Sequence, residues 1–276
     1  MYVTHPDRPS TLTFQMNGAT VTACLPDPAL ARELAGIYPT CVVEGAAPGE
    51  PDIVVRQARG AYELASARVS NAGLSGRELL PAFEWAVTLA LLAGTARYVH
   101  VHAAGAVRRN RALLVLGPTG AGKSTLALHW SQAGAPVLGD DTVLLDETGR
   151  VHPFPRLFKI DPVAITRAGV RLERTPWWSP GSSEAWYDPA DTGGWGSSAP
   201  IALVAVVERG GEGTVLVRDV TRRQGLAALL RSCQATGRTG TDAFDALTQA
   251  ASGARFVALR YRRSDHAART LIELLS

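Results

Sequence analysis

The residues Gly117-Pro-Thr-Gly-Ala-Gly-Lys-Ser124 fit the pattern G-x-x-x-x-G-K-[ST]. Their types and spacing suit the holding of a phosphate chain. Glycines let successive backbone N–H groups turn inward onto phosphate oxygens. A helix starting directly after the loop adds the positive end of its dipole. Lys123 brings a compact ammonium that can reach the β- and γ-phosphates, which a planar guanidinium would do poorly. The Ser124 hydroxyl can coordinate Mg²⁺. The candidate nucleotide-binding set is therefore Gly117, Pro118, Thr119, Gly120, Ala121, Gly122, Lys123, Ser124 and Thr125. The bland alternative is a Gly-rich strand-to-helix turn with no ligand. The apolar run Ala112–Leu116 before the loop and a helical stretch, Ser124–Gln132, after it are the context the motif requires.

Asp140-Asp141 follows the short apolar segment Ala135–Leu138, one helix downstream of the loop. Where a phosphate loop binds a nucleotide, an acid at the end of a neighbouring strand holds the metal. A second acid beside it can accept a proton from an attacking hydroxyl. A solvated Gly-Asp-Asp turn is the competing explanation. His100 and His102 alternate along an extended segment, which puts both on one face. Neither a Cys nor a third His stands near them to suggest a metal cage.

The 276 residues suffice for one large domain or two modest ones with a real core. At 46% apolar and 19% charged, the composition excludes a disordered chain. The net charge of +3 is too small to argue for nucleic acid. Its make-up is more informative: 26 arginines stand against 2 lysines, Lys123 and Lys159. Codon bias explains the arginine excess, and the same bias makes a retained lysine worth attention. Lys159, in Arg156-Leu-Phe-Lys-Ile160, either meets a phosphate or an acceptor, or covers apolar surface with its stem. Cys24, Cys41 and Cys233 form no CxxC pair, so neither a disulfide framework nor a structural zinc site is expected. Met1–Ser10 has no apolar signal core, and the apolar run Trp85–Gly94 is about half a membrane span. A soluble cytoplasmic protein is expected, with neither nucleic acid nor membrane as partner, and with self-assembly left open.

Stepping outward from the loop, alternating strands and helices predict an α/β fold. Thr11–Met16 and Ala19–Cys24 read as a hairpin turning at Asn17-Gly18. A helix over Pro28–Ile37 capped by Asp27, and strands over Asp52–Arg56 and Ala61–Ala67, complete a small α/β module over residues 1–75. Glu78–Ala93, apolar on nearly every face, predicts a buried helix opening the larger domain, 76–276. Tyr98–Ala106 reads as one strand, and Ile201–Val207 with Thr214–Val220 as a hairpin. Helices are expected at Leu226–Ser232, Ala243–Ala251 and His266–Leu275, with a late strand at Phe256–Tyr261. Between them, 175–200 holds Trp177, Trp178, Trp186, Tyr187 and Trp195. That stretch suggests a lid or peptide groove, or a loop pinned down by its aromatics.

The run Val101-His-Ala-Ala-Gly-Ala-Val107, the loop Gly117–Thr125 and Val137-Leu-Gly-Asp-Asp141 resemble the catalytic domain of bacterial HPr serine kinase/phosphorylase. The shorter HPr-kinase-related proteins of peptide-modification clusters, lasso-peptide clusters among them, are similar as well. Pro153-Phe-Pro155 and the ending Phe256–Tyr261 resemble that group too. The resemblance covers roughly residues 78–276. It implies a P-loop kinase core akin to phosphoenolpyruvate carboxykinase, ATP with Mg²⁺, and phosphorylation of a serine or threonine hydroxyl on a peptide or small protein. It assigns His102 to the phosphates, Lys123 to catalysis, Asp140 to the general base, and Ser124 and Asp141 to the metal. Glu208-Arg-Gly-Gly211 only faintly echoes the family's second signature, which puts the reverse phosphorylase activity in doubt. A kinase for small-molecule hydroxyls and a nucleotide-dependent switch with weak ATPase activity are the rival readings.

Overall fold

The computed structural model describes residues 9–45, 49–167, 169, 185–211 and 215–275. Two compact units divide after Thr95.

The first unit opens with β1 (Ser10–Met16) and β2 (Ala19–Leu25). They form the antiparallel hairpin that Asn-Gly predicts, with Asn17 and Gly18 both at positive φ. Phe14, Val21, Ala23 and Leu25 are buried. Asp27 caps α1 (Pro28–Ala35), accepting from the Ala29 and Leu30 N–H groups at 2.8 Å each. After β3 (Val42–Val43) come β4 (Ile53–Ala58), β5 (Ala61–Ser66) and β6 (Ser70–Leu74). The sheet order is β3-β1-β2-β4-β5-β6. α2 (Gly76–Gly94) starts on a Ser75/Glu78 capping box. It packs against β2, β5 and β6. That packing covers Phe83, Val87 and Leu91, and it places the division after α2 rather than after residue 75.

The second unit begins with β7 (Val99–Val101) and β8 (Ala104–Arg108), where one strand was expected. The two halves serve different neighbours, so the chain breaks at 102–103. β9 (Arg111–Leu116) runs into the loop and α3 (Lys123–Gln132). Next come β10 (Val137–Gly139), β11 (Val143–Leu145), β12 (Arg150–His152), β13 (Phe158–Ile160) and α4 (Pro162–Arg167). β14 (Ala185–Tyr187), β15 (Ala199–Arg209), β16 (Leu216–Asp219), α5 (Arg222–Arg231), α6 (Gly240–Ala250), β17 (Arg255–Tyr261) and α7 (Ser264–Leu274) follow.

The sheet order is β10-β8-β9-β15-β12-β11-β7, with β17 on β15 and β16 on β17. β9, β15 and β17 are parallel. β15 and β16 do not form the hairpin expected from the sequence: β17 lies between them, parallel to β15 and antiparallel to β16. One core joins the sheet to α3 and α7 through Leu113, Leu126, Trp130, Val207, Leu259 and Leu271. The other joins it to α5 and α6 through Leu114, Val204, Leu229, Leu247 and Phe256. Helices on both faces of a sheet with parallel central strands are the α/β layering the sequence predicts. No described helix is long and apolar enough to cross a membrane.

Gly225 lies in α5, where an added Cβ would overlap the Cδ1 edge of the Phe256 ring. Alanine gains about 1 kcal/mol of helix propensity there, but overpacking costs about 1–3 kcal/mol. Gly225→Ala is expected to lower the urea midpoint. An unchanged or raised midpoint would mean that α5 yields to the methyl without loss.

Candidate active site

β9 is buried along Ala112–Leu116, so the loop after it starts from a fixed point in the core. The loop turns into α3 at Gly122, whose φ of +92° suits glycine. Space demands glycine as well, since a Cβ there would meet the Tyr261 hydroxyl and come within 2.9 Å of Arg209 Nε. Tyr261 Oη donates to the Ala121 carbonyl at 2.6 Å. The ends of β15 and β17 thus hold the loop from one side. Lys123 Nζ donates to the Gly117 and Pro118 carbonyls at 2.8 and 3.3 Å. Burial pulls its pKa down, and the charges of Asp141 and Asp140 pull it back up.

The two acids follow β10 and differ in surroundings. Asp140 is 4% exposed and accepts a hydrogen bond from the Ser124 hydroxyl. Asp141 is half-open, and its Oδ1 stands 3.2 Å from His102 Nδ1. Arg156 Nη2 reaches both, 3.8 Å from Asp140 Oδ1 and 3.6 Å from Asp141 Oδ2. Burial pushes the Asp140 carboxyl up to about 6 against the pull of Arg156, and Asp141's charge adds to the rise.

A cavity of about 770 Å³ opens here. It lies outside the carboxyl ends of β9, β15 and β17, where open α/β sheets hold ligands. Thr119, Gly120, Gly122, Lys123, Ser124 and Thr125 line it. Of the remaining loop candidates, Gly117 and Pro118 give their carbonyls to Lys123, and Ala121 gives its own to Tyr261. His102, Asp141, Lys159 and Asp161 also line it. So do Arg209, Arg262, Arg263, Ser264 and Asp265.

His100 does not join His102. Its ring is fully buried, with Nδ1 2.9 Å from Thr236 Oγ1. Sequence reasoning missed two residues of the site, Arg156 beside the paired acids and Arg209 on the cavity lining. Arg156 was visible only as the residue after Pro153-Phe-Pro155, and Arg209 only inside the Glu208-Arg-Gly-Gly echo. Lys159 pairs in register with Trp186 across β13 and β14, its Nζ 4.9 Å from the indole centroid. Trp186 and Tyr187 are buried, and Trp195 packs edge-on against Phe158. These three aromatics brace the interior instead of forming a lid. Trp177 and Trp178 lie outside the described residues.

The Ser124 hydroxyl with the Asp140 carboxylate is an all-oxygen donor pair, which fits a hard cation such as Mg²⁺. Among the described residues no cluster of three or more His, Cys, Asp or Glu makes a metal cage. A magnesium that keeps waters and phosphates as its other ligands needs none.

No protein-family model matches the chain, and no curated protein matches it. Among solved structures, the Hpr(Ser) kinase/phosphatase from Coxiella burnetii is similar, at 14% identity and a TM-score of 0.32. The match covers 64% of this chain and 92% of that one.

Asp140 protonates near 6 in the folded chain, against an ordinary 3.8. Protonation therefore favours the folded state, and the group's cost is absent below about pH 4. Between pH ~4 and ~6 stability falls, by up to roughly 3 kcal/mol once the carboxyl is fully ionised. In metal-free buffer, Asp140→Asn is expected to raise the urea midpoint near pH ~7 and to leave it unchanged near pH ~4. An equal gain at both values would mean that burial of the ionised carboxylate is not what the variant relieves.

Proposed function

We propose that the chain is a P-loop phosphotransferase. It moves the γ-phosphoryl group of ATP, with Mg²⁺, onto a serine or threonine hydroxyl of a peptide or small protein. The observation that carries this reading is the contact of the Ser124 hydroxyl with buried Asp140, beside a cavity onto which Lys123 and Asp141 open. A loop serine tied to a strand-end acid is the arrangement that positions a metal on a nucleotide's phosphates. The peptide acceptor rests on the resemblance of the loop and the paired acids alone.

Each residue then has a stated task. The loop N–H groups and Lys123 bind the phosphates, Lys123 exchanging its two carbonyl partners for phosphate oxygens. Ser124 and Asp140 would hold Mg²⁺, which when bound neutralises charge on the β- and γ-phosphates. Asp141 accepts the proton of the acceptor hydroxyl. His102 orients Asp141 through the 3.2 Å contact. Arg156 screens the two carboxylates from each other. This reverses the order implied by the resemblance, in which Asp140 is the base and Asp141 the metal acid. The reason is access: Asp140 is enclosed and committed to Ser124, while Asp141 faces the cavity.

Titration calorimetry with MgATP and mass spectrometry of a serine/threonine peptide library test the assignment. Lys123→Ala is expected to weaken ATP binding by more than about tenfold, and Lys123→Arg not to restore it. Asp141→Asn is expected to cut phosphopeptide formation by at least ~10²-fold with ATP affinity nearly unchanged. Asp140→Asn is expected to raise the Mg²⁺ concentration needed. Full transfer by Asp141→Asn would return the base to Asp140, and a wild-type chain that does not bind ATP would end the reading.

A further inference from the structure

The segment from the end of β17 into α7 touches first the loop and then α3. At its start, Tyr261 Oη meets the loop at the Ala121 carbonyl. A few residues on, Ser264 Oγ stands 3.0 Å from His129 Nε2. His129 lies six residues beyond Lys123, roughly 9 Å along the helix axis at 1.5 Å per residue. The segment therefore walks along α3 away from the loop, and Arg262, Arg263, Ser264 and Asp265 all face the cavity as it goes.

A nucleotide on the loop has a direction. Its terminal phosphate belongs with Lys123 and the acids, so its sugar and base extend away from them. Arg262–Asp265 follow β17, which lies on the opposite side of β9 from β10 and the acids that follow it. The chemistry of that segment suits a nucleoside. Asp265 is gripped by Arg263, with Nε 3.2 Å from Oδ1 and Nη2 2.8 Å from Oδ2. Arg269 and His266 stand 3.7 Å from Oδ2. Hydrogen bonds from Arg263 hold the Asp265 carboxyl down at about 2, so it is an acceptor at any working pH. Its two oxygens offer about four acceptor sites, of which Arg263 takes two and the His266 backbone N–H a third, which leaves room for a further donor. Vicinal ribose hydroxyls are donors of the matching kind. Exposed Arg262 adds a planar guanidinium able to lie on a purine face.

We propose that Tyr261–Asp265 is the nucleoside-reading wall of the cavity, and that Asp265 accepts from the ribose hydroxyls and so selects ribonucleotides. The proposal rests on the nucleotide reading above. The test is titration calorimetry of the full chain in Mg²⁺ with four probes: ATP, 2′-deoxy-ATP, 3′-deoxy-ATP and inorganic tripolyphosphate. At least one deoxy form is expected to bind about tenfold more weakly than ATP. In Asp265→Ala that ratio is expected to approach one, with tripolyphosphate affinity kept. Equal binding of all three nucleotides by the wild type overturns the proposal without need of a variant, as does a ratio that survives in Asp265→Ala. Tripolyphosphate binding as tightly as ATP also overturns it, while leaving the phosphate loop intact. Failure of both ATP and tripolyphosphate to bind overturns the proposed function, and this proposal with it.

Discussion

One buried hydrogen bond sets the terms for the site: Tyr261 Oη to the Ala121 carbonyl, at 2.6 Å across 140 positions of sequence. It joins the end of the last strand to the middle of the loop. The two can meet only because β17 runs parallel to β15, and β15 parallel to β9, so that all three carboxyl ends arrive on one side. Gly122 follows from the same contact. The tyrosine hydroxyl and the Arg209 guanidinium occupy the space a Cβ would need. Burying a phenol without a partner for its hydroxyl is unfavourable, and here the partner is a loop carbonyl. The loop is thus shaped as much by what closes on it as by its own glycines.

Charge sets the second constraint. Two adjacent carboxylates at the end of β10 would repel, and one is nearly enclosed. Arg156 stands between them and Lys123 stands near both, so two cations face two anions. Buried ions persist only when paired or hydrogen-bonded. Even so, the Asp140 carboxyl remains raised to about 6, which means that these partners do not fully offset its burial. A divalent cation beside Ser124 would supply the missing positive charge. In the proposed function, the imbalance is what makes the enclosed acid a metal-side residue.

Local signals carried the sequence reading as far as local physics reaches. Asn17-Gly18 turns its hairpin and Asp27 caps its helix, because each acts over a few residues; the loop lies between β9 and α3, and Asp140-Asp141 follows β10. Domain membership was less legible. α2 is apolar on many faces, and nothing in its sequence says which sheet will cover it. β15 and β16 are neighbours in sequence but not in space, because β17, from much later in the chain, pairs with both. Arg156 and Arg209 were hidden for a different reason. In a chain with 26 arginines an arginine carries no signal by type, and only the position of its guanidinium shows what it serves.

The two lysines carry the opposite lesson. Every other basic position holds arginine, including the cavity residues Arg209, Arg262 and Arg263. Yet Lys123 and Lys159, far apart in sequence, line the same cavity. For Lys123 the loop explains the choice, since a compact ammonium fits between its carbonyls. For Lys159 the stacking on Trp186 does not, because a guanidinium stacks on an indole at least as well. What separates the two side chains is the shape of the charge: a point on a flexible stem instead of a plane with a fixed fork of donors. Asp161 and Asp141 line the same cavity as Lys159. Lys159 thus lays its stem on the Trp186 indole and carries a point charge at the lining that those acids share.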